Sequence, residues 1–282
     1  MTSATIKLFL PHGDARRLRV GEVSNWTGKA LAAPRTELDD LLAREETESS
    51  GVYFLLGVNP ETGDNLAYIG EAEVIRDRLK QHKQKDFWTS VVVFVSKDEN
   101  LTKAHIRYLE NRLLHEAKAV GRYKLENSNT SNPKLPESDR EDMEVYLSRI
   151  RQVLPVLGSD LLSPIGGSAK PTQHQPHLVC KIKNAVATGR RTESGFVVFA
   201  KSTAVLSVRP SAESQYPNTI ALRQRLIQDK TLIEQDGVYV FTKDVEFSSP
   251  SAAAAVIHGG SANGLVAWKD KNGKSLKDLE DA

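Results

Sequence analysis

The sequence predicts an α/β protein built as two domains, and three observations predict it. Short, fully apolar runs, GVYFLLGV from Gly51 and VVVFV from Val91, alternate with segments of helical period. A stretch rich in Gly, Pro and Ser, residues 155–176, divides the chain. A second set of short strands and helices then follows. The first domain is expected to be a small mixed or antiparallel sheet flanked by helices, the second a small α+β domain. The expected boundaries are an N-terminal extension at 1–50, a domain with a trailing helix at 51–154, a linker at 155–176 and an accessory domain at 177–282.

Taken in order, Ile6 to Leu10 reads as a strand, and Arg35 to Glu46 as a short helix with Leu38, Leu41 and Leu42 on one side. GVYFLLGV and LAYIG flank the turn-rich NPETGDN, which predicts an antiparallel hairpin. Ala72 to Gln84 follows as a helix with Ala72, Ile75 and Leu79 inward. VVVFV is apolar at every position, so its strand should be covered on both faces. Leu101 to Val120 is a long helix, capped by Asn100 or Thr102 and closed by Gly121. Its stripe is Ile106, Leu109, Leu113, Ala117 and Val120. NSNTSNPKLPES is a loop, and Asp139 to Leu154 a further amphipathic helix. Beyond His177, strands are expected at GFVVFA, TAVLSV and GVYVFT, and a helix at Ile220 to Gln228. Another helix starts at SSPSAAAAVIH, with Ser249 as cap and Pro250 at the first helical position. LVAWKDKNGK reads as a strand and turn.

A chain of 282 residues can bury one large core or two modest ones. No run reaches the apolar length that spans a bilayer. MTSATIKLFLPHGDARRL lacks the order of regions of a signal peptide. Cys180 is the lone cysteine, which excludes an intramolecular disulfide and a thiolate-rich zinc site. A cytoplasmic protein is the expectation. The net charge of +2 is unevenly spread: from Arg76 to Lys124 there are 12 Lys and Arg against 6 Asp and Glu. Such a block suits a polyanion such as nucleic acid. A solvated helix surface is the plainer reading of charge alone.

Four pieces of the first domain stand out. Gly51-Val52-Tyr53 lies on one hairpin strand and Tyr68-Ile69-Gly70 on the other. Arg78 and His82 share a helix face through their i, i+4 spacing. Glu110 sits at the edge of the buried stripe, where a carboxylate is costly unless paired or bound to a cation. Asn127 closes the set. Each piece has a plainer structural reading. The tyrosines can be cross-strand packing neighbours, Arg78 can pair with Asp77, and Glu110 with Lys103, Arg107 or Arg112. The ordered set is harder to explain that way.

In that order the pieces resemble the GIY-YIG nuclease family, over about Gly51 to Asn129. The first triplet is Gly-Val-Tyr, which keeps the tyrosine, and NPETGDN absorbs a slightly long spacing between triplets. The resemblance implies a metal-dependent endonuclease, with DNA favoured over RNA as partner. It implies that Glu110 holds one divalent cation, Mg2+ with Mn2+ as substitute, and that Arg78 binds the phosphate, as its planar fork suits. Tyr53 is the implied base, oriented by Tyr68 and His82. A tyrosine with its ordinary pKa of about 10 needs a cation or basic neighbour for that role. Asn127 supports the site, with Asn129 two residues away. Gly51 and Gly70 are structural at the site, Gly70 where the chain is expected to turn from strand to helix. Lys80, Lys83, Lys85 and Trp268 are candidate nucleic-acid contacts; for Trp268 an ordinary core position is the plainer reading.

SPSAAAAVIHGGSANGLVAWKD is similar to a small domain of unknown function found attached to GIY-YIG proteins, over about Leu226 to Lys277. WTGKALAAPR at Trp26 is also similar to a segment of such proteins, with no mechanism attached. His174, His177 and Cys180 have loosely metal-like spacing but lack a fourth ligand. GVYVF at Gly237 repeats the first triplet's letters without a Tyr-Ile-Gly after it, and reads as a buried strand. The alternatives to an endonuclease are a DNA-binding module of the same fold that does not cut, and a ribonuclease toxin. No membrane partner is expected; a homodimer or a protein partner through the C-terminal domain stays open.

Overall fold

The computed structural model describes residues 3–127, 133–166, 177–192, 195–209 and 216–281. The chain divides into two units, Met1–Ser163 and Pro164–Ala282.

The first unit is built on seven strands: β1 (Ile6–Phe9), β2 (Arg19–Val23), β3 (Gly28–Pro34), β4 (Gly51–Val58), β5 (Asn65–Ala72), β6 (Trp88–Ser96) and β7 (Lys124–Leu125). Their order across the sheet is β1-β2-β3-β6-β4-β5-β7. All neighbours are antiparallel except β5 and β7, which are parallel. Residues 1–50, read from sequence as one strand and one helix, therefore contribute three strands to the same sheet. They were hard to read because β2 and β3 (RVGEV, GKALAAP) are rich in Gly and Ala. The expected helix over Arg35 to Glu46 is a short α1 (Leu38–Leu42) between two 3-10 turns.

Both faces of the sheet are covered, so β4 is buried over its first seven residues. Side chains of a strand alternate between faces, and this parity sorts the core. Val52, Phe54 and Leu56 join Ile69, Val92 and Phe94 on one face. There they pack against α3 (Lys103–Val120) and α4 (Glu137–Val156). Tyr53 and Leu55 join Leu31, Val91 and Val93 on the other, against α1 and α2 (Ile75–Gln81). Thr102 caps α3 by accepting from the His105 backbone N–H, and Gly121 ends it at φ 70°. Several boundaries differ from expectation by a few residues, and two of them bear on the site and the core. Ala72 belongs to β5, so α2 begins at Ile75. Helix α4 extends to Val156, and Leu157, Leu161 and Leu162 are buried in the same core. Residues 155–163, read as the start of a linker, are thus part of the first unit.

Among its described residues the second unit holds two sheets. Strands β8 (Leu178–Ile182), β9 (Ala185–Arg191), β10 (Phe196–Val198), β14 (Val245–Phe247) and β15 (Trp268–Lys269) form one, ordered β14-β10-β9-β8-β15. Strands β11 (Thr203–Val205), β12 (Leu232–Gln235) and β13 (Val238–Phe241) form the other. The helices are α5 (Pro217–Gln228), α6 (Pro250–His258), α7 (Gly264–Ala267) and α8 (Leu276–Glu280). Ser249 caps α6 and Pro250 opens it, as expected. GVYVF at Gly237 supplies β13 and nothing more.

Trp268 corrects an expectation. It has no exposed surface, its indole N–H donates to the Pro250 carbonyl at 3.0 Å, and its ring lies 4.3 Å from Phe196. A residue so enclosed cannot stack on a base, so Trp268 is a core anchor and not a nucleic-acid contact.

Candidate active site

Strand register brings the two triplets together. Tyr53 stands opposite Gly70, and Leu55 opposite Tyr68, so Tyr53, Gly70 and Tyr68 share one face. That face is the one covered by α2. A Cβ on Gly70 would lie 2.4 Å from the Tyr53 hydroxyl oxygen and 2.5 Å from Cζ. Gly70 lies within β5 and has no left-handed backbone. It is glycine because the Tyr53 ring crosses it, which replaces the expected strand-to-helix turn as the reason. Gly51 is close-packed too: a Cβ there would meet the Phe94 carbonyl oxygen at 2.2 Å.

Above Gly70 three rings cluster. Tyr53 and Tyr68 stack with centroids 6.0 Å apart; His82 lies 5.4 Å from the first and 4.9 Å from the second. The Tyr53 hydroxyl is 2.7 Å from His82 Nε2. His82 opens the 3-10 turn that follows α2 and is only 5% exposed. Burial first, then the charges of Lys85 and Arg78, lower its pKa to about 4. It is therefore neutral at pH 7. The Tyr53 phenol moves the other way, raised well above its ordinary range by burial and then by Tyr68, with which it shares a hydrogen bond. Tyr53 has no exposed surface, whereas Tyr68 is partly exposed.

Glu110 arrives from α3, on the opposite face, and the edge of β5 explains how it reaches the site. The β5–β7 pairing runs only over Leu66↔Lys124 and Ala67↔Leu125. Asn127 then takes over: its Oδ1 accepts from the Ile69 N–H at 3.2 Å and its Nδ2 donates to the Ile69 carbonyl at 2.7 Å. Beyond Ile69, the Glu110 carboxylate accepts from the Glu71 backbone N–H. Burial first, and then the Glu71 carboxylate, raise the Glu110 pKa to about 7, against the opposing charges of Arg78 and Arg107. Arg107 Nε is 3.7 Å from Glu71 Oε1.

Arg78 itself is exposed on α2, with Nη1 3.3 Å from the Gln81 side-chain oxygen. Its positive charge bears on Tyr53, His82 and Glu110 alike. Asn127 holds backbone and is a support, while Asn129 lies outside the described residues. The lysines separate. Lys85 Nζ sits 4.0 Å over the Tyr68 ring. Lys80 lies 3.4 Å from Asp77 and Lys83 2.7 Å from Asp39.

Two residues of this neighbourhood escaped sequence reasoning. Glu71 is adjacent to the second triplet, and only strand register reveals its partner. Arg35 reaches the site from the end of β3, and its only signal was the unexplained WTGKALAAPR segment. Other candidates carry less. His12, Glu37 and Asp40 gather three donor atoms within 4.8 Å, but Arg17 pairs with both carboxylates. Cys180 is buried with Sγ 3.3 Å from His258 Nε2, and burial raises its thiol to about 12. It is no thiolate. His174 lies outside the described residues, and His177 packs on Phe199.

Residues 178–280 match the family model described as a domain of unknown function (DUF4357). The match covers nearly all of the second unit, beginning well ahead of the Leu226 read from sequence, and it assigns no chemistry to the Tyr53 cluster. No curated protein and no solved structure matches the chain.

Proposed function

We propose that the first unit is a GIY-YIG-type endonuclease that hydrolyses nucleic-acid phosphodiester bonds, with DNA as the favoured substrate. One observation carries this reading: Tyr53, Tyr68 and His82 close into one ring cluster over Gly70, with the Tyr53 hydroxyl 2.7 Å from His82 Nε2, and the charge of the exposed Arg78 bears on that cluster and on Glu110 alike. That convergence supports a site for a phosphate and its reacting neighbours better than it supports separate packing roles.

The donor set fits a hard divalent cation. Glu110 offers carboxylate oxygens, has the Glu71 carboxylate beside it, and is raised to about 7 by burial and that neighbour. A cation there relieves both causes. Glu110 would hold it, and when bound it supplies Lewis acidity at the phosphoryl oxygen.

The protein's own groups do the rest. The exposed Arg78 takes the phosphate. Water activation falls to Tyr68, because Tyr53 is fully enclosed. Tyr68 takes a proton from water as its own proton passes to Tyr53, whose proton passes to His82 Nε2. In the resting site His82 is a weak base, held so in part by Lys85 and Arg78. A phosphate that neutralises those cations returns His82 toward its ordinary pKa of about 6.5. Substrate binding thus prepares the acceptor of the proton.

The test is incubation of the purified chain with supercoiled plasmid and with single-stranded RNA, with Mg2+, Mn2+ or a chelator. Metal-dependent nicking of plasmid is expected. Tight binding without nicking would favour a recognition module, and cleavage of RNA alone a ribonuclease.

A further inference from the structure

We infer that Arg35 is a positioning residue for the site, setting His82 and Lys85 against the two tyrosines; this rests on the nuclease reading above. Strand β3 pairs with β6 along its whole length, ending at Pro34↔Ser90. The residue after Pro34 therefore stands beside the start of β6, where the segment from His82 to Trp88 returns to the sheet. Arg35 fills that place. Its Nη1 donates to the carbonyls of Lys85 and, at 3.3 Å, of Trp88, and its Nη2 donates to the carbonyl of Lys83 at 2.8 Å. Its guanidinium carbon lies 4.5 Å from the centroid of the Trp88 ring.

These contacts reach the chemistry through two short links. The Trp88 indole N–H donates to the His82 carbonyl at 3.1 Å, so the ring on which Arg35 lies also holds the backbone of His82. The Lys85 carbonyl is held directly, and the Lys85 ammonium rests over Tyr68. Between its 3-10 turn and β6 this segment has no strand partner to fix it. One planar fork bridging three carbonyls can fix it; an ammonium, with a single nitrogen, cannot span them. Among the described residues no carboxylate pairs with Arg35, and its hydrogen bonds go to the carbonyls of Lys83, Lys85 and Trp88. The segment WTGKALAAPR then has a purpose: β3 delivers Arg35 to the loop that carries His82.

The experiment compares the full chain with Arg35→Lys and Arg35→Ala. The His82 ring resonances are titrated by NMR, and single-turnover cleavage and DNA affinity are measured well below each melting temperature. In both variants the His82 titration is expected to move up toward that of a free histidine. Turnover is expected to fall about tenfold or more, with DNA affinity changed less than about threefold. Arg35→Lys keeps the charge and aliphatic stem, so it tests geometry even if Arg35→Ala does not fold. A His82 titration identical to the parent in the folded variants would overturn the inference, whatever the melting temperature does. Because that reading needs no cleavage, failure of the nuclease assignment leaves it interpretable.

Discussion

The Tyr53 hydroxyl and the His82 imidazole meet at 2.7 Å, one from the middle of a sheet strand and the other from the turn after a helix. Gly70 makes the meeting possible by leaving the Tyr53 ring room to lie across its own strand. The pair is buried, and burial acts on its members in opposite directions, raising the phenol and lowering the imidazole. Both therefore stay neutral at pH 7, which suits a proton that shifts between them and does not suit an ion pair.

Removing either half of this arrangement has distinct consequences. Tyr53→Phe deletes the hydroxyl's hydrogen bonds to His82 and Tyr68, costing about 1–2 kcal/mol, and is expected to slow cleavage by about 100-fold. Gly70→Ala puts a methyl where the phenol lies and is expected to cost about 2 kcal/mol through overpacking. Denaturant melts and single-turnover rates separate the two. A Tyr53→Phe protein as fast as the parent would remove Tyr53 from the proton route.

Glu110→Gln is expected to abolish metal-dependent cleavage and to stabilise the metal-free protein at pH 8. The folded pKa of Glu110 is raised from 4.5 to about 7. Its cost to stability therefore grows as pH rises from about 4.5 and is fully present above about 7. After allowance for solvent screening the gain on substitution is about 1 kcal/mol. Added Mg2+ should raise the melting temperature of the parent and leave the variant unmoved. Equal Mg2+ stabilisation of both proteins would refute Glu110 as the ligand.

The pH dependence of His82 has the opposite sign. Its folded pKa is lowered from 6.5 to about 4, so the unfolded chain takes up the proton first as pH falls. Stability is lost between about pH 6.5 and pH 4, by about 2 kcal/mol. Glu110 works against this trend over much of the same range, so the melts belong in the Glu110→Gln background. In NMR the ring should titrate near pH 4 in the free protein and higher with a DNA oligonucleotide bound. An unshifted titration in the complex would exclude substrate-driven preparation of His82.

A fragment spanning Met1–Ser163 is expected to fold alone and to nick plasmid. One ending at Leu154 is expected not to fold, since it lacks Leu157, Leu161 and Leu162, all buried in the first core. Each contributes about 2 kcal/mol of burial, and the net stability of a domain is about 5–15 kcal/mol. Circular dichroism melts of the two fragments decide this. A stable 1–154 fragment would show that residues 155–163 are dispensable to the core.

Sequence alone determined the local grammar of this protein. Apolar runs and periodicity located β4, β5, β6, α3 and α4, because a buried strand or an amphipathic helix writes its inner face into consecutive residues. Thr102, Gly121, Ser249 and Pro250 marked helix ends by chemistry local to each, whereas strand register put Tyr53 and Tyr68 on one face. Tertiary structure decided whatever depended on distant segments. It placed β2 beside β3, two strands whose small residues carry little periodic signal, and β3 beside β6, and so brought Arg35 to the His82 loop. It enclosed Trp268, extended the first core through Leu162, and set Glu71 beside Glu110 where the β5–β7 pairing ends. Each of these follows from which elements become neighbours in space. Burial, electrostatics and hydrogen bonding act between such neighbours, and residue spacing along the chain does not encode them.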